Sequence, residues 1–461
     1  MSQINTPMMT LGQLAHYLSL PLKVDQQDDP VSRISIDSRS IGQGDVFFAL
    51  HGDQFDGHDY VVQALAKGAL CAVVREDWVV PSTISEQRLL KVKDTLLSLG
   101  QLAQAWRKHI NPFVIALTGS NGKTTVKEMT AAILREHSLT LGYDINSVLA
   151  TEGNLNNAIG VPLTLLRLRP EHRFAVIEMG MNHEGEIAYL SNMAKPDVAL
   201  INTVQRAHIG LLGSIEAIAR AKSEIFEGLD ADGVAVYPTD LSTSAILSQR
   251  AQPHRQLSFA ISAQAHITGA IDGRVLTVSG FGETIKVRLQ IPGRHNQENA
   301  LAVIAACLAT GVGATQIIKG LEQFTGVPGR LQMQFSALGA LVIDDTYNAN
   351  PDSVFAAIGV LSEREGRKIF VLGDLGELGE FADELHAEVG LKAKRAGIDD
   401  LFTLGELTQR SALSFGEGAH HCESVDQIVS TLKPQLNRDT TVLVKGSRFM
   451  KMERVVEGLL Q

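Results

Sequence analysis

Residues 118–125 read Thr-Gly-Ser-Asn-Gly-Lys-Thr-Thr, and these residue types in this order suit the gripping of a phosphate. Gly119 and Gly122 let the backbone turn tightly, so that several N–H groups can converge on one anion. The run from Gly119 through Ser120, Asn121, Gly122, Lys123 and Thr124 to Thr125 is therefore a candidate nucleotide-binding loop. Lys123 would bring a point charge to the β- and γ-phosphates, and the Thr124 hydroxyl a ligand for Mg²⁺. The context agrees. An apolar run at 113–117 predicts a strand, and Val126, Met129, Ile133 and Leu134 fall on one face of a following helix, whose N-terminus favours an anion. The general Walker spacing is not met, because only two residues separate Gly119 from Gly122.

Three further positions could join this loop. The apolar run 174–177 ends at Glu178, a hard oxygen ligand suited to Mg²⁺, and the run 198–201 leads through Asn202 and Thr203 to His208. In parallel α/β sheets ligands sit at the carboxyl ends of strands, so the loop, Glu178 and the His208 segment are expected to be neighbours. The third position is Lys222. Ser214 reads as an N-cap, and Ile215, Ile218, Ala219 and Phe226 share an apolar helical face on which Lys222 also falls. A lysine there either snorkels to water or is desolvated, which lowers its pKa and opens the way to carbamate formation with CO₂. The polar stretch 146–162, with Thr151, Asn154, Asn156 and Asn157, is either a ligand-gripping loop or a series of asparagine turns.

The elements that must position these groups fall into an α/β pattern of three domains, predicted at 1–107, 108–326 and 327–461. The first is a small α/β unit, with strand-like runs at 34–39, 46–50 and 71–74, a helix at 61–70 and a helix at 96–106 leading out. The second is the central phosphate-loop sheet, extended by runs between 234 and 289, some of them antiparallel. Its helix over 298–310 follows Asn296 and carries Asn299; capping accounts for one of these amides and base recognition for the other. A turn-rich linker, Thr-Gly-Val-Pro-Gly-Arg, follows at 325–330. The third domain alternates strands at 341–343, 369–372, 401–404 and 441–444 with helices, a Rossmann-like doubly wound pattern without the dinucleotide glycine fingerprint.

Bulk properties narrow the function classes. The chain of 461 residues is 44% hydrophobic and 20% charged, with a formal net charge of −10. That balance argues against a nucleic-acid-binding body. Cys71, Cys307 and Cys422 offer no disulfide framework or zinc spacing, and the N-terminus has no signal-peptide pattern, so a cytoplasmic location is expected. No apolar run is long enough for a membrane span, and a monomer is the default because no unpaired apolar stripe stands out.

Taken together, these segments resemble the Mur ligase family, whose phosphate loop has the short G-x-x-G-K-T form. The resemblance rests on 118–125, 154–162, Glu178-Met179-Gly180, 202–210, Ala221-Lys222-Ser223-Glu224, 293–300, Pro328-Gly329-Arg330, 344–351 and 445–448. Residues 345–351 and 373–379 favour the member that adds D-alanyl-D-alanine to UDP-N-acetylmuramoyl-tripeptide. The resemblance implies an ATP-dependent amide ligase working through an acyl phosphate. It implies Lys123, His208 and Lys222 as catalytic residues, with Thr124 and Glu178 on one Mg²⁺ and His208 and a Lys222 carbamate serving a second. It places His295, Asn296 and Asn299 by the adenine, Arg330 by the phosphates and Asp345 by the ribose. Ser38 and Arg39 would hold the uridine nucleotide, Thr151, Asn154, Asn156 and Asn157 the peptide substrate, and Asn348 and Asn350 are where to look for the dipeptide. Closure of the third domain is expected, with Gly326 and Gly329 as hinges.

Overall fold

Short apolar runs closed by turns become three main sheets, besides a two-stranded antiparallel pair of Met9–Thr10 with Pro30–Val31, in the computed structural model, which describes residues 7–22, 24–52 and 55–461. The first sheet is parallel, with strands β1 (Ile34–Ser35), β2 (Val46–Phe48), β3 (Cys71–Arg75) and β4 (Leu89–Val92) in that order. The short helix after β2 covers Val61–Ala66 and ends earlier than the predicted 61–70, because Gly68 turns the chain at φ 113°. Helix α1 (Thr95–Ile110) runs four residues past the predicted end before Asn111 closes it in the left-handed conformation. Its Trp106 is buried and donates an indole N–H to the Leu168 carbonyl at 3.0 Å, which fastens the first unit to the second.

The second sheet has nine strands: β5 (Phe113–Thr118), β6 (Val148–Ala150), β7 (Phe174–Glu178), β8 (Val198–Ile201), β9 (Val234–Pro238), β10 (Arg255–Ala260), β11 (Ile267–Asp272), β12 (Val275–Ser279) and β13 (Ile285–Arg288). Their order is β13-β12-β11-β10-β9-β8-β5-β7-β6, parallel from β6 to β11 and antiparallel at β12 and β13. The burial pattern follows that change. Strands β5, β7 and β8 are buried nearly throughout, as a parallel sheet covered on both faces requires. Strands β11 and β13 alternate buried and exposed residues, as a sheet with one wet face does.

Helix α2 (Lys123–Thr140) packs on the central sheet, and after it come α3 (Ile215–Ser223), α4 (Arg294–Ala309) and α5 (Ala314–Gln323). The start of α4 differs from the predicted 298: it is capped by Gly293, so Asn296 and Asn299 lie within its first turns and neither serves as the N-cap. The linker glycines Gly326 and Gly329 have φ 108° and 69°, conformations that a side chain would disfavour.

The third sheet is ordered β14-β15-β19-β16-β17-β18, from β14 (Gln332–Phe335), β15 (Leu341–Asp345), β16 (Arg367–Gly373), β17 (Asp400–Leu404), β18 (Ala419–Cys422) and β19 (Thr440–Lys445). Only β14 runs antiparallel to its neighbour, at the edge. Helices α6 (Pro351–Ser362) and α7 (Ala382–Arg395) belong to this unit.

Gly320 of α5 sits directly on α2, the helix that presents Lys123. A Cβ at that position would lie 2.6 Å from the Ile133 Cα and 2.7 Å from its N. Backbone cannot yield as a flexible side chain can, so Gly320→Ala is expected to lower stability by about 1–3 kcal/mol. Chemical unfolding measures this; an unchanged midpoint would show that the two helices are not in rigid contact.

Candidate active site

Strand register gathers the site. β5 lies between β8 and β7, with Thr118 opposite Ile201 and Leu117 opposite Glu178. Three adjacent carboxyl ends therefore deliver the glycine loop, Glu178 and Asn202 to one edge of the sheet, as expected from the sequence. Gly122 adopts φ 76° immediately before α2, and a Cβ on it would sit 2.5 Å from Asn299 Oδ1. A Cβ on Gly119 would overlap the Asn202 carboxamide oxygen. Both glycines are thus required by close neighbours as well as by the turn.

The glycine loop is braced by residues 202–210. The Ser120 hydroxyl donates to the Gln205 carbonyl at 2.9 Å and accepts from the Gln205 N–H at 2.8 Å. Asn202 Nδ2 donates to the Asn121 carbonyl at 2.7 Å and to Asn299 Oδ1 at 3.0 Å. Asn121 Nδ2 donates to Gln205 Oε1 at 2.6 Å.

Positive charge collects here with little to neutralise it. Lys123 Nζ donates to the Gly119 carbonyl at 2.9 Å; burial pushes its pKa down, and the Glu178 charge opposes that shift. Lys222, on α3, does not snorkel. It is 1% exposed, and no ion pair or hydrogen bond of its ammonium is made among the described residues. Burial drives its pKa well below the ordinary value, and the positive charge of Lys123 drives it further. Ser214 caps α3 by accepting from the Ala217 N–H at 3.1 Å, as the sequence indicates. Phe226 falls in the 3₁₀ turn Glu224–Gly228 that follows the helix.

Glu178 is 2% exposed. Its Oε1 accepts from Asn156 Nδ2 at 2.8 Å, while its Oε2 is buried without a partner. Thr151 proves not to face a cavity. It is buried behind Glu178, whose N–H donates to the Thr151 hydroxyl at 3.0 Å, and Lys127 Nζ donates to the Thr151 carbonyl at 2.5 Å. His208 adopts φ 61°, with Nδ1 2.8 Å from Glu377 Oε2. The ring is not aimed for a directed hydrogen bond to that oxygen.

Two cavities meet at this point. The larger, about 1380 Å³, is lined by Lys123, Thr124, Asn154, Asn156, Asn157, Glu178, His208, Asn348 and Asn350. The smaller, about 280 Å³, is lined by Thr125, His295, Asn296, Asn299, Asp345 and Lys445. Asn121, Gly122 and Arg330 line both. Arg330 lies over the Tyr347 ring at 4.1 Å, and its Nη2 donates to the Thr124 hydroxyl at 3.4 Å. Lys445 is 2% exposed and donates to Asp345 Oδ2 at 2.6 Å, which fixes that carboxylate.

Other predicted residues are placed elsewhere or otherwise engaged. Ser38 is buried against Gln63, to which its hydroxyl donates at 3.1 Å, and Arg39 is an exposed partner of Asp37, whose carboxyl it holds down to about 2. Neither lines the two cavities. Asn350 reaches the large cavity, but its amide is occupied: it caps α6 by accepting from the Ser353 N–H at 3.0 Å, and its Nδ2 donates to Asn121 Oδ1 at 2.6 Å. That amide thus joins the second domain to the third. Sequence reasoning missed Lys127, Gln205 and Arg206. The first shows a faint signal, a lysine one turn beyond Lys123 on α2; the others gain meaning only from distant partners.

Family models match along most of the chain: the Mur ligase family, catalytic domain at residues 30–110, the Mur ligase middle domain at 117–307, and the Mur ligase, glutamate ligase domain at 329–448. The chain belongs to the Mur ligase family. The UDP-N-acetylmuramoyl-tripeptide–D-alanyl-D-alanine ligase of Escherichia coli K12 is 39% identical to this Mur ligase over 98% of each chain. The ligase of the same description from Haemophilus influenzae is 40% identical over 97% of each. Among solved structures, MurF from Acinetobacter baumannii superposes with a TM-score of 0.89 at 35% identity, over 99% of this chain and 100% of that one. MurF from Thermotoga maritima, solved in complex with ADP, gives 0.81 at 27% identity over 93% of this chain and 96% of that one.

His295 in the smaller cavity of this Mur ligase makes a pH prediction. Burial pushes the ring from 6.5 down to about 4. The unfolded chain takes up this proton near the ordinary value and the folded chain only near the lower one, so acidification through that window favours unfolding. His295→Gln should flatten the fall in stability between pH 6.5 and 4, read by chemical unfolding. Equal slopes in the two proteins would show that the ring protonates freely when folded.

Proposed function

We propose that this chain joins D-alanyl-D-alanine to UDP-N-acetylmuramoyl-tripeptide, splitting ATP to ADP and phosphate, in the synthesis of peptidoglycan precursor. The observation that carries the reading is the meeting of a small and a large cavity at Asn121, Gly122 and Arg330, beside Lys123. ATP occupies the smaller, with its γ-phosphate at the shared wall, and the muramoyl peptide occupies the larger. The relatives that overlap nearly the whole chain are ligases of this same description.

The chemistry follows from charge. A carboxylate is a poor acyl donor, and it is repelled by ATP. Lys123, the N–H groups of the glycine loop and the N-terminus of α2 draw both anions to one point. The carboxylate oxygen then bonds to the γ-phosphorus, the bond to ADP breaks, and an acyl phosphate forms. The dipeptide nitrogen adds to the carbonyl carbon, the tetrahedral intermediate collapses, phosphate leaves, and the nitrogen loses its proton to solvent. His295, Asn296 and Asn299 face the base, Asp345 the ribose, and Arg330 the phosphates. Asn154, Asn156 and Asn157 line the peptide side, with Ser38 and Arg39 assigned to the uridine nucleotide on the first sheet. Asn348 and the Arg448 turn lie where the amine substrate must enter.

The residues present fit Mg²⁺. Among the described residues no group of three or more His, Cys, Asp or Glu side chains is poised for a metal ion. A hydroxyl and a single carboxylate with an open oxygen are instead available, Thr124 and Glu178 Oε2, and Mg²⁺ completes such a shell with phosphate oxygens and water. The ion would supply charge neutralisation between the phosphates and the incoming carboxylate. For a second ion the ligands would be His208, through the ring nitrogen not facing Glu377, and Lys222 as a carbamate. An unpaired, desolvated amine with a depressed pKa supports that modification.

The chain divides at 107/108 and 326/327 in this reading, which is supported by each sheet being built from one continuous segment. We read it as a monomer. It acts in the cytoplasm; among the described residues no helix is long and apolar enough to cross a membrane.

The deciding experiment is the product mass after incubation with ATP, Mg²⁺, UDP-N-acetylmuramoyl-tripeptide and D-alanyl-D-alanine. Extension of the muramoyl peptide by one dipeptide is expected, and ATP consumption without it would overturn the reading. Lys222→Ala should lower ligation at least about 100-fold, with partial rescue by added short carboxylates. Full activity of that variant would remove Lys222 from the reaction.

A further inference from the structure

Residues 202–210 touch the glycine loop on one side and the third domain on the other. Ser120, Asn121, Asn202 and Gln205 make the first contact, as described above. The second contact is centred on Arg206. Its backbone N–H donates to Asp352 Oδ2 at 2.8 Å, its Nη2 to Asp352 Oδ1 at 2.7 Å, and its Nη1 to Glu388 Oε2 at 3.0 Å. The guanidinium also lies over the Phe355 ring, 5.5 Å from the centroid. Asp352 is in the first turn of α6 and Glu388 is on α7, so one side chain ties two helices of the third domain to the central sheet. Four residues on, Gly210 meets the third domain backbone to backbone: a Cβ there would lie 2.5 Å from the Gly379 N.

We propose that Arg206 is a positioning residue which clasps the third domain against the loop that braces Ser120 and Asn121, so that the groups of that domain are held over the bound substrates. This rests on the ligase reading given above. Arg206 lines neither cavity and so touches no substrate. Its planar fork suits the arrangement, because it engages Asp352 through two N–H groups while a third turns to Glu388. The two carboxylates hold the guanidinium charged at every pH of interest. The contact is made or lost as a unit when the domain swings on the 325–330 linker. Removing it should favour the open arrangement while leaving the glycine loop in place.

The test uses the full chain with R206M, D352N and the double variant. Each single change is expected to lower kcat/KM for D-alanyl-D-alanine about tenfold or more, and the double change no further than the worse single, because both break one clasp. Small-angle X-ray scattering supplies the readout that a merely structural role would not move. With a non-hydrolysable ATP analogue, Mg²⁺ and UDP-N-acetylmuramoyl-tripeptide, the parent protein is expected to be compact and R206M extended, at equal thermal midpoints. Asp352 also lines the smaller cavity, so should R206M fold poorly, E388Q, at a residue lining neither cavity, tests the same clasp from the other side. Losses that multiply in the double variant, a rate within twofold of the parent, or equal compactness would each overturn the proposal. If the parent protein did not ligate at all, the ligase reading would fall, and the scattering comparison would still judge the clasp.

Discussion

The structure depends on keeping positive charge buried and unneutralised at one end of the central sheet. Lys123 and Lys222 both lie in desolvated positions, and the charge of Lys123 further lowers the tendency of Lys222 to hold a proton. Glu178, the nearby acid, has one oxygen already bonded to Asn156. Such an arrangement is unfavourable in the empty protein, because burial penalises the charged form of each amine. Anionic substrates offset that penalty. Binding strength and catalytic charge stabilisation thus come from the same unpaired groups, and the rest of the fold must prevent them from finding partners within the chain.

Rigid backbone does this. The parallel strands β5, β7 and β8 are covered on both faces and cannot shift register without moving whole apolar rows from one face to the other. Their ends therefore hold the glycine loop, Glu178 and Asn202 at fixed separations. Thr151 holds the Glu178 backbone and is itself held by Lys127, while Asn156 holds the carboxylate through Oε1. Glycine is needed where the loop passes Asn202 and Asn299, because any side chain there would displace the amides that keep the loop open.

How much of this is legible in the sequence depends on the range of the interaction. Residues 113–125 announce strand, turn and helix because a short unbroken apolar run gives way to 3.6-residue spacing across the glycines, and Glu178 and His208 follow from strand ends. Lys222 shows itself by falling on an apolar helical face, although periodicity cannot say whether its stem turns out to water; the packing of α3 decides that. Thr151 and Asn350 are the opposite case. Their polar types suit a ligand loop, yet tertiary neighbours claim them, one for the Glu178 backbone and one for Asn121 across the domain boundary. The start of α4 also escapes, because His295 and Asn296 are weak helix formers and Gly293 caps without a side chain. Arg206 was invisible for a simpler reason: its partner Asp352 is 146 residues away.

That distant pairing bears on why the domains meet through polar groups. An acyl phosphate is lost to water unless the cleft closes over it, yet products can leave only if the cleft reopens. An apolar seam would close well and open slowly, since its surface must be returned to water. Across the boundary described here polar contacts join Asn121 to Asn350, Arg206 to Asp352 and Glu388, and His208 to Glu377, beside the backbone contact of Gly210 with Gly379 and the apolar side chains of Ile209 and Leu378 in one buried cluster. Water can replace each of the polar contacts on opening, so the net energy of closure stays small while its geometry stays specific. Substrates in the cavities and the Arg206 clasp would then decide closure together, neither sufficing alone. This is what a ligase needs if it is to shield its intermediate only when both substrates are in place.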